Sequence, residues 1–276
     1  MPATLHRPAL LVLLCLTACD SEPLPPSASA NVEILAPLTM TRLDRERTIR
    51  VYLPPDYAES DARYPVLYMH DGQNLFDDAT SYSGEWGVDE TLNELAATSN
   101  LKLIVIGIDN GGEKRMNELS PWPNDEFGHA EGDAYMDFII NQVKPMVDEI
   151  YRTVADREHT AILGSSMGGL ISHYAITRHS DVFSKAGIFS PSYWFSNDVY
   201  EYTHKQPPAN DARLHLLIGG REGDAIDDML AMEKVLLELG HPETNLSVEV
   251  VPKGKHHETF WREQFGPSVA WLFAAK

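Results

Sequence analysis

The sequence predicts an α/β fold with a mostly parallel central sheet and helices on both faces. Three observations carry that reading. Strand-like and helix-like segments alternate over about two hundred residues with no internal repeat. Several strand candidates are nearly continuous aliphatic runs, which suit parallel strands buried on both faces. One of them leads straight into Gly164-Ser165-Ser166-Met167-Gly168, a strand-to-helix turn that carries its own chemistry.

In chain order, Thr48 to Leu53 reads as an amphipathic strand closed by Pro54-Pro55, and Tyr64 to Met69 as a short apolar strand running into the turn Asp71-Gly72. Val88 to Ala97 has helical spacing. Leu101 to Ile108 is an aliphatic strand stopped by Asp109-Asn110-Gly111-Gly112. Ala134 to Tyr151 repeats every 3.6 residues as a helix does. Thr160 to Leu163 is then a strand and Gly168 to Arg178 a helix. Ala186 to Phe189, Leu214 to Ile218 and Leu246 to Val251 supply further strands, separated by helices at Asp224 to Leu239 and His257 to Phe273.

A chain of 276 residues, 43% of them hydrophobic, is long enough for one large core and too short for two comfortable domains. Its 22 basic and 41 acidic residues give a formal charge of −19. That field repels phosphate backbones, so nucleic acid is not expected as a partner, and it opposes binding of the folded domain to anionic lipid. The bland reading, a solvated acidic surface, is preferred to a functional patch.

The N-terminus is more specific. Arg7 precedes the apolar run Ala9 to Leu16, which has the length of an export signal and is too short to span a bilayer. The run ends in Leu16-Thr17-Ala18-Cys19, which resembles the lipobox of bacterial lipoproteins, where the cysteine is acylated and becomes the first mature residue. The expected organisation is a signal peptide over residues 1–18, Cys19 as lipid anchor, a flexible Pro- and Ser-rich tether over 19–31, and a catalytic domain over 32–276. The domain would then sit in the periplasm or at the cell surface and touch the membrane only through its lipidated N-terminus. With Cys15 removed and Cys19 acylated, cysteine catalysis and Cys-ligated metals drop out.

Gly164 to Gly168 is a G-x-S-x-G segment between strand and helix. There the chain turns so sharply that the serine is strained and its hydroxyl stands at the sheet's C-terminal edge, at the positive end of a helix. This is the nucleophile elbow of the α/β-hydrolase fold, with Ser166 as nucleophile. A neutral serine needs a histidine to take its proton and a carboxylate to hold that histidine, and in this fold they follow in the order Ser, acid, His. The acid belongs on the loop after a late strand. Glu222 is the first choice and Asp224 the alternative, although Asp224 is better placed to cap the next helix. The histidine belongs before the last helix, where His256 and His257 stand side by side and cannot both point into a cleft. The oxyanion needs backbone N–H donors, expected from Met167 and from Gln73 in the loop after an earlier strand.

The segments Leu67 to Phe76, Arg115 to Trp122, Gly164 to Gly169 and Phe189 to Trp194, with His256-His257-Glu258 and Trp261, together resemble the putative-esterase family of α/β hydrolases. That family includes enterochelin-type siderophore esterases, feruloyl and acetyl-xylan esterases, S-formylglutathione hydrolases and mycolyltransferases. The resemblance covers about Ile49 to the C-terminus. It implies that His256, first residue of an H-x-E segment with a tryptophan five positions on, is the catalytic histidine, that Glu222 in a Gly-x-x-Asp/Glu segment is the acid, and that Gln73 is an oxyanion donor. It also puts Trp122, Tyr193 and Trp194 on segments that often line the substrate pocket, against the equally weighted reading of core aromatics.

The expected activity is hydrolysis of an extracytoplasmic carboxylic ester, of siderophore or carbohydrate, feruloyl or acetyl type, through an acyl-enzyme. An acyltransferase of the same fold would use the same groups. A non-catalytic lipoprotein that binds a small molecule or carbohydrate is disfavoured, since it would have no use for nucleophile, acid and base in order. No cofactor is expected, and no metal, because no His-Glu-x-x-His segment occurs. The short stretch from Pro191 to Leu214 leaves no room for a large lid and implies an open cleft.

Overall fold

The computed structural model describes residues 25–274. The expected signal peptide and Cys19 lie outside the described residues.

Among the described residues ten strands form two sheets: β1 (Val32–Ile34), β2 (Leu38–Met40), β3 (Arg45–Arg47), β4 (Ile49–Tyr52), β5 (Val66–His70), β6 (Ile104–Ile108), β7 (Thr160–Ser165), β8 (Lys185–Phe189), β9 (Arg213–Gly219) and β10 (Leu246–Val251). The main sheet runs β1-β4-β6-β5-β7-β8-β9-β10, while β2 and β3 make a separate antiparallel pair. From β6 to β10 all neighbours are parallel; β4 and β1 add an antiparallel edge. This is the α/β-hydrolase architecture expected from the alternation of segments.

The aliphatic runs explain why the sheet is buried on both faces. Strand side chains alternate sides. Val66 and Tyr68 of β5, Ile104, Ile106 and Ile108 of β6, and Leu214, Leu216 and Ile218 of β9 join one core. Leu67, Met69, Val105, Leu163 and Leu217 join the other. The helices are α1 (Val88–Ser99), α2 (Arg115–Glu118), α3 (Gly132–Phe138), α4 (Lys144–Ile150), α5 (Met167–Arg178), α6 (Asp198–Lys205), α7 (Ala225–Glu238) and α8 (Glu258–Phe273). Helices α1 and α8 cover the second face through Leu92, Phe265 and Val269. Helices α3 to α7 cover the first through residues such as Phe138, Val147, Leu170, Val199 and Met232.

Three local features differ from the sequence reading. The helix expected over Ala134 to Tyr151 is interrupted by a π turn at Ile139–Val143. Pro145 follows it and has no N–H to give to an α ladder, so the wider turn absorbs the change of register. The stretch between Pro191 and Leu214 contains α6, which buries Val199 and Thr203. Residues 27–31, expected to end a flexible tether, are fastened to the domain. Ser27 N–H donates to Asp77 Oδ1 (3.1 Å), Asp78 N–H to Ser27 Oγ (2.8 Å), and Ser27 Oγ to Glu85 Oε2 (3.2 Å). Ser29 N–H reaches Asp89 Oδ2 (2.7 Å) and the Asn31 amide reaches the Leu53 carbonyl (2.6 Å). Every second residue supplies the polar group, a spacing that composition alone conceals.

Candidate active site

The chain leaves β5 for β6 on one side and returns to place β7 on the other, so the C-terminal ends of β5 and β7 diverge. Such a reversal opens a crevice at the sheet edge. Here the loops after β5, β6 and β7 and the loop before α8 enclose a cleft of about 730 Å³, bordered by Gln73, Tyr82, Trp86, Arg115, Ser166, His256 and Trp261 among others.

Ser166 sits between β7 and α5 at φ 59°, ψ −122°, a strained conformation for a residue with a side chain. The turn holds because its neighbours are small. A Cβ on Gly164 would lie 2.8 Å from the Gly168 backbone and 2.8 Å from the His70 ring. Ser166 N–H donates to the Phe189 carbonyl (2.9 Å), Ser192 N–H donates to the Ser166 carbonyl (3.1 Å), and the Ser166 hydroxyl lies 3.2 Å from that of Ser192. Met167 opens α5, so its N–H is among those the helix cannot satisfy itself. Its thioether is buried in the core. Gln73 lies in a single 3₁₀ turn after β5 and borders the cleft.

Glu222 follows β9 and His256 follows β10, adjacent parallel strands, so two residues far apart in sequence meet at the same edge. His256 Nδ1 is 2.8 Å from Glu222 Oε2. The Glu222 side chain is only 3% exposed, and its other oxygen accepts from Ser190 Oγ (2.7 Å) and from Gly219 N–H (2.8 Å). An ionised carboxylate accepts only, so Nδ1 donates to it, and in the neutral ring Nε2 then keeps its lone pair. Asp224, the alternative acid, is exposed and stands at the start of α7. His257 also borders the cleft. Its ring is otherwise engaged, accepting from Thr259 N–H (3.2 Å) to cap α8.

On the opposite wall, Asp71 adopts a left-handed conformation at φ 56°. Arg115 grips it through two bonds (2.6 and 2.9 Å) and the Asn110 amide adds a third (2.6 Å). Burial works against the Asp71 charge, but Arg115 and Asn110 outweigh it and hold the carboxyl below its ordinary range. His70, buried beside it with Nδ1 at 2.7 Å from the Tyr135 hydroxyl, is pushed down to about 4, chiefly by burial. It is neutral at working pH and supports the turn without adding charge to the cleft.

A family model described as "Putative esterase" matches residues 40–272. The chain belongs to this esterase family. It is thereby a carboxylic-ester hydrolase. The esterase is 30% identical to "Uncharacterized protein YbbA" of Bacillus subtilis (strain 168), over 82% of this chain and 92% of that one. It is 24% identical to the "Iron(III) salmochelin esterase" of Escherichia coli O6:H1 (strain CFT073), over 79% of this chain, and spans about half of that longer relative, 52%. Among solved structures, the siderophore hydrolase EstA from Aspergillus nidulans superposes with a TM-score of 0.69 at 20% identity, over 92% of this chain and 96% of that one; it shares the fold.

The three aromatic residues expected in the substrate pocket of the esterase part company. Trp122 is packed edge-on against Tyr174 and Tyr202, with ring centres 5.7 and 5.8 Å away, and does not border the Ser166 cleft. Tyr193 is fully buried, its hydroxyl 2.8 Å from His173 Nδ1. Both are core residues, because each finds its partners on α5 and α6 beneath the sheet edge. Trp194 is 55% exposed and flanks a second, shallower groove with Arg221, Asp224 and Asp228, where His256 is the residue common to both hollows. The aromatic walls of the main cleft are instead Tyr82, Trp86 and Trp261. Sequence reasoning missed Tyr82 and Trp86, and also Arg115, Ser190 and Ser192, although the last three lie within segments that carried the family resemblance.

Proposed function

We propose that the protein is a serine esterase in which Ser166 is the nucleophile, His256 the general base and acid, and Glu222 the residue that orients and charge-stabilises the histidine. His256 Nε2 takes the Ser166 proton as Oγ attacks the ester carbonyl. The carbonyl oxygen becomes an oxyanion that the N–H groups of Gln73 and Met167 stabilise. Collapse expels the alcohol, which takes the proton from His256 and leaves Ser166 acylated. Water, deprotonated by the same histidine, attacks in turn and releases the acid. The observation that carries this reading is the His256–Glu222 contact at 2.8 Å on the rim of the cleft that also contains the strained Ser166.

The substrate in this proposal is an extracytoplasmic ester, of siderophore or of carbohydrate, feruloyl or acetyl type. The names of two relatives, the salmochelin esterase and the "Siderophore triacetylfusarinine C esterase" of Aspergillus fumigatus, support the siderophore arm. A cleft of about 730 Å³ with three aromatic walls suits a bulky acyl or alcohol group. The Leu16 to Cys19 segment supports export and acylation at Cys19. The test is hydrolysis of p-nitrophenyl esters from acetate to long acyl chains, with a feruloyl ester, by the protein and its Ser166→Ala form. Turnover should disappear in Ser166→Ala with the fold intact; full activity in that variant would sink the mechanism.

A further inference from the structure

Glu222 is held from behind by a chain of groups that begins at an indole. The Trp261 Nε1–H donates to Ser190 Oγ (2.9 Å), and Ser190 Oγ is 2.7 Å from Glu222 Oε1. The direction of every bond in this chain is fixed. An indole N–H can only donate, so Ser190 must accept from it and spends its single proton on the carboxylate. Gly219 N–H fills the remaining place on Oε1 (2.8 Å), and Oε2 is left to His256 Nδ1. Trp261 also meets the far end of the chain. Its ring packs edge to face with the His256 ring, with centres 5.0 Å apart and planes at 83°.

The backbone is shaped to present Ser190 this way. The residue follows β8 in a left-handed conformation, φ 42°, is 2% exposed, and its N–H donates to the Leu217 carbonyl (2.6 Å). Trp261 is in turn locked by Trp86, which stacks on Phe189. The start of the chain is therefore set in the core between the sheet and α8, and its end is the histidine at the rim.

We propose that Ser190, ordered by the Trp261 indole N–H, is a positioning residue that fixes the rotation of the Glu222 carboxylate and through it the tautomer and tilt of His256. This rests on the reading of Glu222 and His256 given above. Without Ser190, Oε1 keeps only the Gly219 N–H, and the carboxylate gains freedom to turn away from the imidazole.

The experiment compares Ser190→Ala, Trp261→Phe and Glu222→Gln, singly and in pairs, on the p-nitrophenyl ester that the parent protein hydrolyses best. Alanine keeps the Cβ of serine, so the backbone strain at this position is unchanged. Ser190→Ala should lower kcat about tenfold with KM unchanged, the size expected for one hydrogen bond to a charged group. Trp261→Phe, which removes the N–H together with part of the ring that meets His256 and lines the cleft, should lower kcat by roughly threefold. Ser190→Ala should not lower kcat further in the Glu222→Gln background, because it acts through that carboxylate. The downfield proton resonance of His256 Nδ1–H should move upfield in Ser190→Ala. An unchanged kcat in Ser190→Ala, or a loss that persists undiminished beside Glu222→Gln, would overturn the assignment of Ser190 while leaving the acid in place. Full activity in Glu222→Gln itself would overturn the acid, a different failure. If Ser190→Ala does not fold, Ser190→Cys, which keeps the shape of the side chain and replaces the hydroxyl with a weaker donor, carries the same test beside Glu222→Gln.

Discussion

A carboxylate beside a histidine can orient it only if the carboxylate is itself held. Glu222 has a partner on each oxygen and is almost fully buried; Asp224, two residues on, is in solvent at a helix start. Glu222→Ala should therefore cost at least a hundredfold in kcat, while Asp224→Ala should change it by less than about twofold, with steady-state kinetics on one ester deciding between them. From residues alone the two stayed open, because both are acids in a glycine-rich loop after a strand. What separates them is the tail of the parallel ladder, where β9 and β10 end side by side and point the first acid, not the second, at the loop carrying His256. Trp122 shows the converse. It lies in a segment typical of the family, yet which way it faces depends on Tyr174 and Tyr202, supplied by helices more than fifty residues downstream.

Elements built from apolar runs were legible, and those built from charge were not. Strands β5 to β10 match expected segments to within a few residues; in β5 to β9 nearly every residue is buried, while β10, at the sheet edge, is half-buried to exposed and is read from its alternating pattern. Strands β2 and β3 have three residues each and depend on an ion-pair network for their place. Arg45 and Arg47 of β3 both bond Glu118 of α2, whose side chain is 2% exposed. That helix also carries Arg115 to Asp71 at the cleft wall. Glu118→Gln would leave the Arg47 charge buried without a counter-charge, a cost of about 3–5 kcal/mol. Denaturant unfolding should show the loss as a lower midpoint, and KM on bulky esters should rise as the α2 end of the wall loosens.

For the molecule as a whole, acidity is opposed from inside. His70 and His215 are pushed down to about 4 and His173 to about 3, each chiefly by burial. Between about pH 6.5 and 4.5 the unfolded chain binds protons at these three positions that the folded protein refuses, so stability falls as the pH falls. Each contributes up to about 1.4 kcal/mol per pH unit in that window. Glu85 works the other way: raised to about 7, chiefly by burial, it stabilises the fold below its ordinary 4.5 and loses that contribution as the pH rises through 7. Burial also pushes His179 and His241 down and Glu90 and Asp228 up, so lowered histidines still outnumber raised carboxyls and the thermal midpoint should drop from pH 7 to pH 5; a midpoint that stays level or climbs would contradict the assignment of the histidines as buried and neutral.

The fastening of residues 27–31 also has a mechanical meaning. Ser27 ties Asp77, Asp78 and Glu85, and the chain between them, Thr80 to Ser83, forms one rim of the cleft. If Cys19 is a lipid anchor, the chain that joins it to the sheet passes through this serine. Its few partly exposed hydrogen bonds would peel long before the sheet gave way. Tension on the anchor would thus be felt at the mouth of the cleft, so that an enzyme lying slack on its membrane and one stretched away from it would offer a substrate different entrances.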